Sequence, residues 1–151
     1  MACMNNDKHI LIVEDNPDHL ELTVVTLEEQ RIRARIVVAR DGVEALEYLL
    51  GQGRYLNRDL SEQPCLILLD MKLPKMSGLD VLRRVRGQPQ TALIPVVMLT
   101  SSTEKSDLLA CYQSGANGFV RKPVDFAAFT ARLNCLQAYW IDVNESLEGK
   151  G

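Results

Sequence analysis

The stretch Cys65-Leu-Ile-Leu-Leu-Asp70 decides the fold of this chain. Its five apolar residues follow one another without a polar break, which is typical of a parallel strand buried on both faces of a sheet. The run ends on the carboxylate of Asp70, and Pro74 follows closely, where a strand cannot continue. Because open α/β sheets place ligand crevices at the carboxyl ends of their strands, we expect Asp70 to lie in such a crevice.

Four more apolar runs of strand length occur along the chain, and helical patterns alternate with them. Strands are predicted over residues 9–13, 34–39, 65–70, 94–99 and 118–121. Helices are predicted over residues 17–30 and 104–114, and others begin near Gly42, Ser77 and Asp125. This alternation predicts an α/β fold, a (βα)5 flavodoxin-like doubly wound parallel sheet with strand order 2-1-3-4-5. Residues 51–63 predict a long surface connection, and residues 1–7 a loose N-terminus.

Composition narrows the class of protein further. The chain has 151 residues, a net charge of −3 and a hydrophobic fraction of 46%, which predict one globular domain with no electrostatic attraction to nucleic acid or an anionic membrane. No apolar stretch approaches the ~20 residues of a membrane span, and no secretory signal is visible. The four cysteines lack metal-ligand spacing. We expect reduced, core-packed thiols, with Cys65 in a buried strand and Cys135 on an apolar helix face, in a cytoplasmic protein.

Polar side chains follow four of the predicted strands at the point where each strand ends. They are Glu14 and Asp15 after the first strand, Asp70 after the third, Thr100 after the fourth and Lys122 after the fifth. Each alone has a structural explanation: an acidic helix cap, a threonine in a turn, a solvated Lys-Pro turn. Together they predict a site, because like charges ~4 Å apart repel by about 4 kcal/mol at an effective dielectric of ~20.

A divalent cation would relieve that repulsion. All-oxygen ligands suit Mg²⁺ better than a softer metal. With Mg²⁺ bound, the crevice becomes an electropositive seat for a phosphoryl group, and Lys122 and the Thr100 hydroxyl can contact its oxygens. Asp70 then becomes a carboxylate nucleophile able to form an acyl phosphate.

These motifs resemble the receiver domain of two-component response regulators. The resemblance runs over residues 8–139 and rests on separated motifs in the right order: Glu14-Asp15, Asp70, Leu73-Pro74 with Ser77-Gly78, Thr100, and Lys122-Pro123.

The resemblance implies a phosphoacceptor rather than an enzyme acting on a separate substrate. Asp70 would accept a phosphoryl group from a sensor histidine kinase. Glu14, Asp15, Asp70 and the backbone carbonyl of Lys72 would hold Mg²⁺. Thr100 and Lys122 would contact the phosphoryl oxygens. Phe119 would be the switch aromatic that turns inward on phosphorylation, although plain core packing also explains a phenylalanine there.

Residues 140–151 form a C-terminal extension in which Trp140 and Ile141 lie past the usual end of a receiver. We expect no DNA-binding or enzymatic output domain after the receiver. The extension and the long 51–63 connection resemble the stand-alone response regulators of phytochrome histidine kinases, which implies a phytochrome-type kinase as partner. They also imply a homodimer through the Phe126–Leu147 region. The alternative is that Trp140 folds back onto its own domain.

Three other functions are compatible with parts of the pattern. A haloacid-dehalogenase-like phosphohydrolase also uses an aspartate at a strand end, but its second acid stands two residues on, where this chain has Lys72. A flavodoxin would bind phosphate after its first strand, where Glu14 and Asp15 would repel it. A receiver that serves as a constitutive docking or dimerisation module stays compatible with every residue.

Overall fold

The protein is described as a computed structural model, which covers residues 8–29 and 34–145. Its five strands are β1 (His9–Val13), β2 (Arg35–Ala39), β3 (Leu66–Asp70), β4 (Val96–Thr100) and β5 (Gly118–Arg121). They form one parallel sheet in the order β2-β1-β3-β4-β5, which confirms the predicted topology. The order in which strands are added to the sheet reverses between β1 and β3, so a crevice opens at the carboxyl ends of these two strands.

Within the described residues, five α-helices alternate with the strands, and polar side chains cap most of their first turns. The helices are α1 (Pro17–Glu28), α2 (Gly42–Leu50), α3 (Gly78–Arg86), α4 (Lys105–Gln113) and α5 (Phe126–Gln137). Asn16, Asp41, Ser77 and Asp125 each accept a hydrogen bond from a backbone N–H of the helix that follows. These caps explain why the helix starts predicted from the sequence lie close to the observed ones. Among the described residues, no helix is long and apolar enough to cross a membrane.

The core has two layers, one on each face of the sheet. Alternate strand residues point to opposite faces, so Leu11 and Ile67 pack with α2 and α3, whereas Ile12 and Leu68 pack with α1 and α5. Because β1 and β3 are covered on both faces, nearly all their side chains are buried. That burial is the reason why their sequences are continuous apolar runs.

Residues 51–63 lie at the surface but are held by specific contacts. They include a short 3-10 helix, Gly53–Tyr55. The Arg58 guanidinium stacks 3.8 Å from the centre of the Tyr48 ring and donates to the Tyr48 carbonyl oxygen. The Tyr48 hydroxyl in turn lies 2.8 Å from Nε2 of the buried His9. The connection is therefore fastened to α2 and β1.

A second arginine joins α3 to the opposite part of the sheet. The guanidinium of Arg86 is half-buried and donates four hydrogen bonds of 2.7–3.1 Å. Its acceptors are the carbonyl oxygens of Gly115, Ala92 and Ile94 and the side-chain oxygen of Asn117. Desolvation lowers the pKa of Arg86, and the carbonyl dipoles compensate the buried charge.

The chain continues past α5 as a π-helix, Ala138–Val143. Ile141 is fully buried in the layer formed with α1 and α5, and its carbonyl oxygen accepts a hydrogen bond from the Lys8 ammonium. Trp140 is half-buried against the same layer. The domain itself therefore covers Ile141. Residues 1–7 and 146–151, which contain the predicted loose N-terminus and Leu147, lie outside the described residues.

One side chain of α5 that was expected in the core lies at the surface. Cys65 and Cys111 are buried, as expected, but Cys135 is exposed. Phe126 is exposed as well. α5 buries the stripe Phe129, Leu133 and Gln137, and Cys135 stands two residues from Leu133, about 200° around the helix. The prediction that the Cys135 thiol is packed in the core is therefore wrong.

Candidate functional site

A polar pocket of about 420 Å³ opens at the carboxyl ends of the central strands. Its lining comes from four places in the chain: the β1–α1 turn with the start of α1, the end of β3 with the loop after it, the residue after β4, and the residue after β5. The lining residues are Glu14, Asp15, Asn16, Pro17, His19, Asp70, Lys72, Ser101 and Lys122. The topology thus brings together four of the five charged or hydroxyl side chains predicted for this edge, and Thr100 is the exception.

The three carboxylates lie close enough to share a cation. One oxygen from each of Glu14, Asp15 and Asp70 falls within 4.8 Å of the others. Glu14 is buried, the Asp70 side chain is 12% exposed, and Asp15 is exposed. An all-oxygen donor set with one open side fits a hard divalent cation that retains water.

Lys122 is the positive charge at the centre of this group. Its ammonium, in a side chain only 6% exposed, lies 2.5 Å from Glu14 Oε1 and 3.3 Å from Asp70 Oδ2. The ammonium also lies 3.2 Å from Nδ1 of His19. A buried cation between two carboxylates compensates part of their repulsion. Lys122 therefore points at the carboxylate predicted to accept the phosphoryl group.

The buried carboxyl of Glu14 has a strongly perturbed acidity. The pKa of Glu14 is raised to about 7, chiefly by burial; the Lys122 ammonium opposes this rise, and the nearby Asp70 carboxylate adds to it. A bound divalent cation would favour the ionised form of Glu14. Strongly perturbed groups in a crevice are typical of functional sites.

Thr100 lies on β4 at the same edge of the sheet, but its hydroxyl is used locally. Thr100 is buried, and its Oγ1 accepts a hydrogen bond of 3.1 Å from the backbone N–H of Ser102. The Ser102 hydroxyl donates to Asp107 at the start of α4. The β4–α4 loop is thus held in a conformation that places Ser101, rather than Thr100, in the pocket.

The loop after β3 brings its backbone close to Asp70. The Lys72 side chain is exposed, and its backbone N–H lies 3.3 Å from Asp70 Oδ1. Gly78 is required at the start of α3, because a Cβ there would overlap the carbonyl oxygen of Asp70. Lys75 adopts a left-handed conformation, with φ of 71°, which tightens the loop between Asp70 and α3.

Phe119 lies on the edge strand β5, away from the acidic pocket. It is half-buried against the core layer of α2, α3 and α4. One side of it lines a groove of about 550 Å³ along β5 and α5, with Val120, Leu136, Tyr139 and Trp140. Phe119 therefore stands between the core and an exposed apolar surface.

His19 is the residue of this site that the sequence did not reveal. It is the third residue of α1, and its helical position beside Asp18 reads as ordinary helix surface. Only the closeness of α1 to the end of β5 in three dimensions brings its ring to Lys122. Its spacing from Glu14 carries no recognisable motif.

The family model for the response regulator receiver domain matches residues 10–134. The chain belongs to the response regulator receiver family. Membership in this family implies phosphorylation on an aspartate.

Relatives of this receiver are alike over nearly their full length. Response regulator Rcp1 of Synechocystis sp. is 33% identical, with 91% of this chain and 92% of Rcp1 covered. A probable methanogenesis regulatory protein, FilR2 of Methanothrix harundinacea, is 36% identical over 91% of this chain and 86% of its own.

Solved structures of receivers agree with the fold. The Mn(2+)-bound form of Rcp1 has a TM-score of 0.87 at 31% identity, with 93% of this chain and 99% of that chain covered. The bacteriophytochrome response regulator AtBRR has a TM-score of 0.72 at 49% identity, with 91% and 98% covered. The acidic pocket of this receiver is of the kind that holds a divalent metal in the family.

Proposed function

We propose that this receiver accepts a phosphoryl group on Asp70 from a sensor histidine kinase. The observation that carries the proposal is the position of the Lys122 ammonium, 3.3 Å from Asp70 Oδ2, in a pocket shared with Glu14 and Asp15. In this pocket a carboxylate nucleophile, a cation and additional acidic ligands converge at the mouth of the sheet. Phosphoryl transfer requires chiefly positioning and charge neutralisation, and these residues supply both.

The transfer itself forms one bond and breaks one. A carboxylate oxygen of Asp70 attacks the phosphorus of the donor phosphohistidine, and the P–N bond breaks with its electron pair going to the imidazole nitrogen. That nitrogen then takes up a proton from solvent, and Asp70 becomes an acyl phosphate. Lys122 balances charge on the phosphoryl oxygens throughout, because it already faces Asp70.

Glu14, Asp15, Asp70 and the backbone carbonyl of Lys72 would hold Mg²⁺. The supporting observation is the all-oxygen character of the set, since Mg²⁺ prefers carboxylate and carbonyl oxygens. When bound, the ion supplies positive charge for the phosphoryl oxygens and relieves the repulsion among the acids.

Thr100 and Phe119 would carry the change outward. In the observed conformation the Thr100 hydroxyl accepts from the Ser102 N–H. New charge on Asp70 would draw that hydroxyl to the phosphoryl group, and Phe119 would turn further inward from the groove along β5. The receiver fold over residues 8–139 would thus report phosphorylation on its β5–α5 surface.

The kinase partner is inferred to be of the phytochrome type. Two solved relatives described as bacteriophytochrome response regulators, RtBRR and AtBRR, are 46% and 49% identical to this chain. We place the protein in the cytoplasm, where a histidine kinase presents its phosphohistidine and the exposed Cys135 thiol stays reduced. The net charge of −3 gives no reason to expect a nucleic-acid or membrane partner.

A homodimer through α5 and the extension 140–151 is part of the proposal. The groove along β5 and α5 is largely apolar, and Tyr139 remains 49% exposed beside it. Analytical ultracentrifugation of the wild type and Tyr139→Glu tests it, with Leu93→Glu, at an exposed leucine elsewhere, as the control. We expect the wild type and Leu93→Glu to sediment as dimers and Tyr139→Glu as a monomer. A monomeric wild type would contradict the dimer.

Phosphorylation is tested with acetyl phosphate in the presence of Mg²⁺. Acetyl phosphate donates the phosphoryl group, and acetate is the leaving group. We expect the intact protein to gain the mass of one phosphoryl group, Asp70→Asn to gain none, and the control Asp80→Asn, at an exposed acid on α3, to behave as wild type. Modification of Asp70→Asn at the normal rate would overturn the assignment. A folded wild type that never gains the group would favour the constitutive docking module instead.

A further inference from the structure

His19 completes the set of groups that surround the Lys122 ammonium. An ammonium has three N–H bonds and no acceptor. In the part of the chain that the structure describes, the Lys122 ammonium has three partners as well: Glu14 Oε1 at 2.5 Å, Asp70 Oδ2 at 3.3 Å and Nδ1 of His19 at 3.2 Å. Two of these partners are carboxylates of the acidic cluster, and the third is a neutral ring contributed by α1.

We propose that His19 is a positioning residue for phosphoryl transfer: Nδ1 of its imidazole accepts a hydrogen bond from Lys122 and keeps that ammonium directed at Asp70. The inference rests on the proposed role of Asp70 as phosphoacceptor. His19 acts through Lys122 and does not itself touch the reacting atoms.

Contacts hold both the backbone and the ring of His19 in place. Its backbone N–H donates to the capping Asn16 at the start of α1, 3.1 Å away. Its ring meets the ring of Phe129 on α5 edge to face, with centroids 6.5 Å apart and planes inclined at 67°. Phe129 is buried, so the imidazole packs against a side chain that the core itself holds in place. A ring held in this way can fix the direction of a flexible lysine.

The geometry also selects one form of the imidazole. Nδ1 can accept from an ammonium only when it carries no proton, so the neutral ring has its proton on Nε2. Burial lowers the pKa of His19 and the Lys122 ammonium lowers it further, while Asp70, Asp18 and Asp15 act in the opposite direction. The contact from α5 is the uncharged ring of Phe129.

The contact with His19 matters because Glu14 and Asp70 lie at unequal distances from the Lys122 ammonium. Glu14 approaches the ammonium much more closely than Asp70 does. Without an acceptor at residue 19, one N–H of Lys122 would turn to solvent, and the ammonium would be free to settle against Glu14. Lys122 would then stand farther from the oxygen that attacks phosphorus and from the phosphoryl oxygens that it neutralises.

Two substitutions separate an acceptor role from a packing role. His19→Leu keeps apolar contact with Phe129 but removes the acceptor, whereas His19→Asn places a carbonyl oxygen near the position of Nδ1. With acetyl phosphate at saturating Mg²⁺, we expect phosphorylation of Asp70 to slow about tenfold in His19→Leu, corresponding to one hydrogen bond to a charged group. We expect His19→Asn to stay within about twofold of wild type.

The outcomes are distinguishable. Equal rates for His19→Leu and wild type would overturn the proposal, and so would an equal loss in both variants, since a packing role predicts no rescue by asparagine. A folded wild type that accepts no phosphoryl group would instead overturn the role of Asp70. Nitrogen NMR of the wild-type ring provides a test that needs no variant: we expect unprotonated Nδ1 at neutral pH, and a proton on Nδ1 would refute the contact with Lys122.

Discussion

Replacing His9 by glutamine is expected to remove a pH dependence of stability that arises in the core. His9 is fully buried on β1, with Nε2 2.8 Å from the Tyr48 hydroxyl. Its Nδ1 has no hydrogen-bond partner within the described part of the chain. Burial lowers the pKa of His9 to about 4, and the positive charges of Arg35 and Arg58 act in the same direction.

The sign follows from the number of protons bound. Between about pH 6.5 and about pH 4 the unfolded chain binds a proton at His9 and the folded chain does not, so the free energy of unfolding falls as pH falls. A pKa of about 4 in the folded protein against 6.5 in the unfolded chain corresponds to about 3 kcal/mol over the whole window. About 2 kcal/mol of this is lost between about pH 7.5 and about pH 5.

Urea unfolding of wild type and His9→Gln at these two pH values measures the effect. Glutamine does not titrate, and its amide can still pair with the Tyr48 hydroxyl. The raised pKa of Glu14 acts with the opposite sign, because the folded state retains that proton longer than the unfolded chain. Glu14 is common to both proteins, so it cancels in the difference between them. If that difference is the same at both pH values, the prediction that His9 is buried as a neutral imidazole is wrong.

Two further predictions concern the acidic pocket and the four hydrogen bonds of Arg86 on α3. Mg²⁺ should raise the midpoint of thermal unfolding progressively with its concentration, since a concentration of a hundred times the dissociation constant adds about 2.7 kcal/mol to the free energy of unfolding. Glu14→Gln should weaken this shift. Scanning calorimetry measures it, and no shift in the wild type would count against the acidic cluster as a metal site. Arg86→Met should cost about 2–4 kcal/mol in urea unfolding, because it strands the buried acceptors of its four hydrogen bonds. The Arg83 side chain is 57% exposed, so the control Arg83→Met should cost little stability. A similar cost for both variants would refute the stabilising role of the Arg86 hydrogen bonds.

Much of the pocket follows from the order of the strands. Glu14, Asp15, Asp70 and Lys122 each come directly after an apolar run, and parallel strands present their carboxyl ends at one edge. Strand order and motif spacing therefore suffice to bring these groups together. Thr100 was assigned to the same edge correctly, but its hydroxyl bonds to Ser102, since a side chain's rotamer depends on the loop around it.

Contacts between elements distant in sequence escaped prediction for a related reason. His19 reaches Lys122 only because α1 packs beside α5 near the end of β5. Arg58 and Arg86 are exposed-type residues whose partners are mostly backbone carbonyls, which carry no sequence signature. In α5, periodicity was compatible with more than one stripe, and the position of α1 selected the one that contains Phe129.

The sequence by itself determined the parallel sheet, its strand order and the convergence of acids and a lysine at one edge. These depend on local patterns: apolar runs, caps and the residues that end each strand. Tertiary structure alone decided which partners Lys122 takes, which face of α5 is buried and that Ile141 folds into its own domain. Those outcomes depend on distances between elements far apart in the chain, and packing sets such distances only when the whole domain has formed.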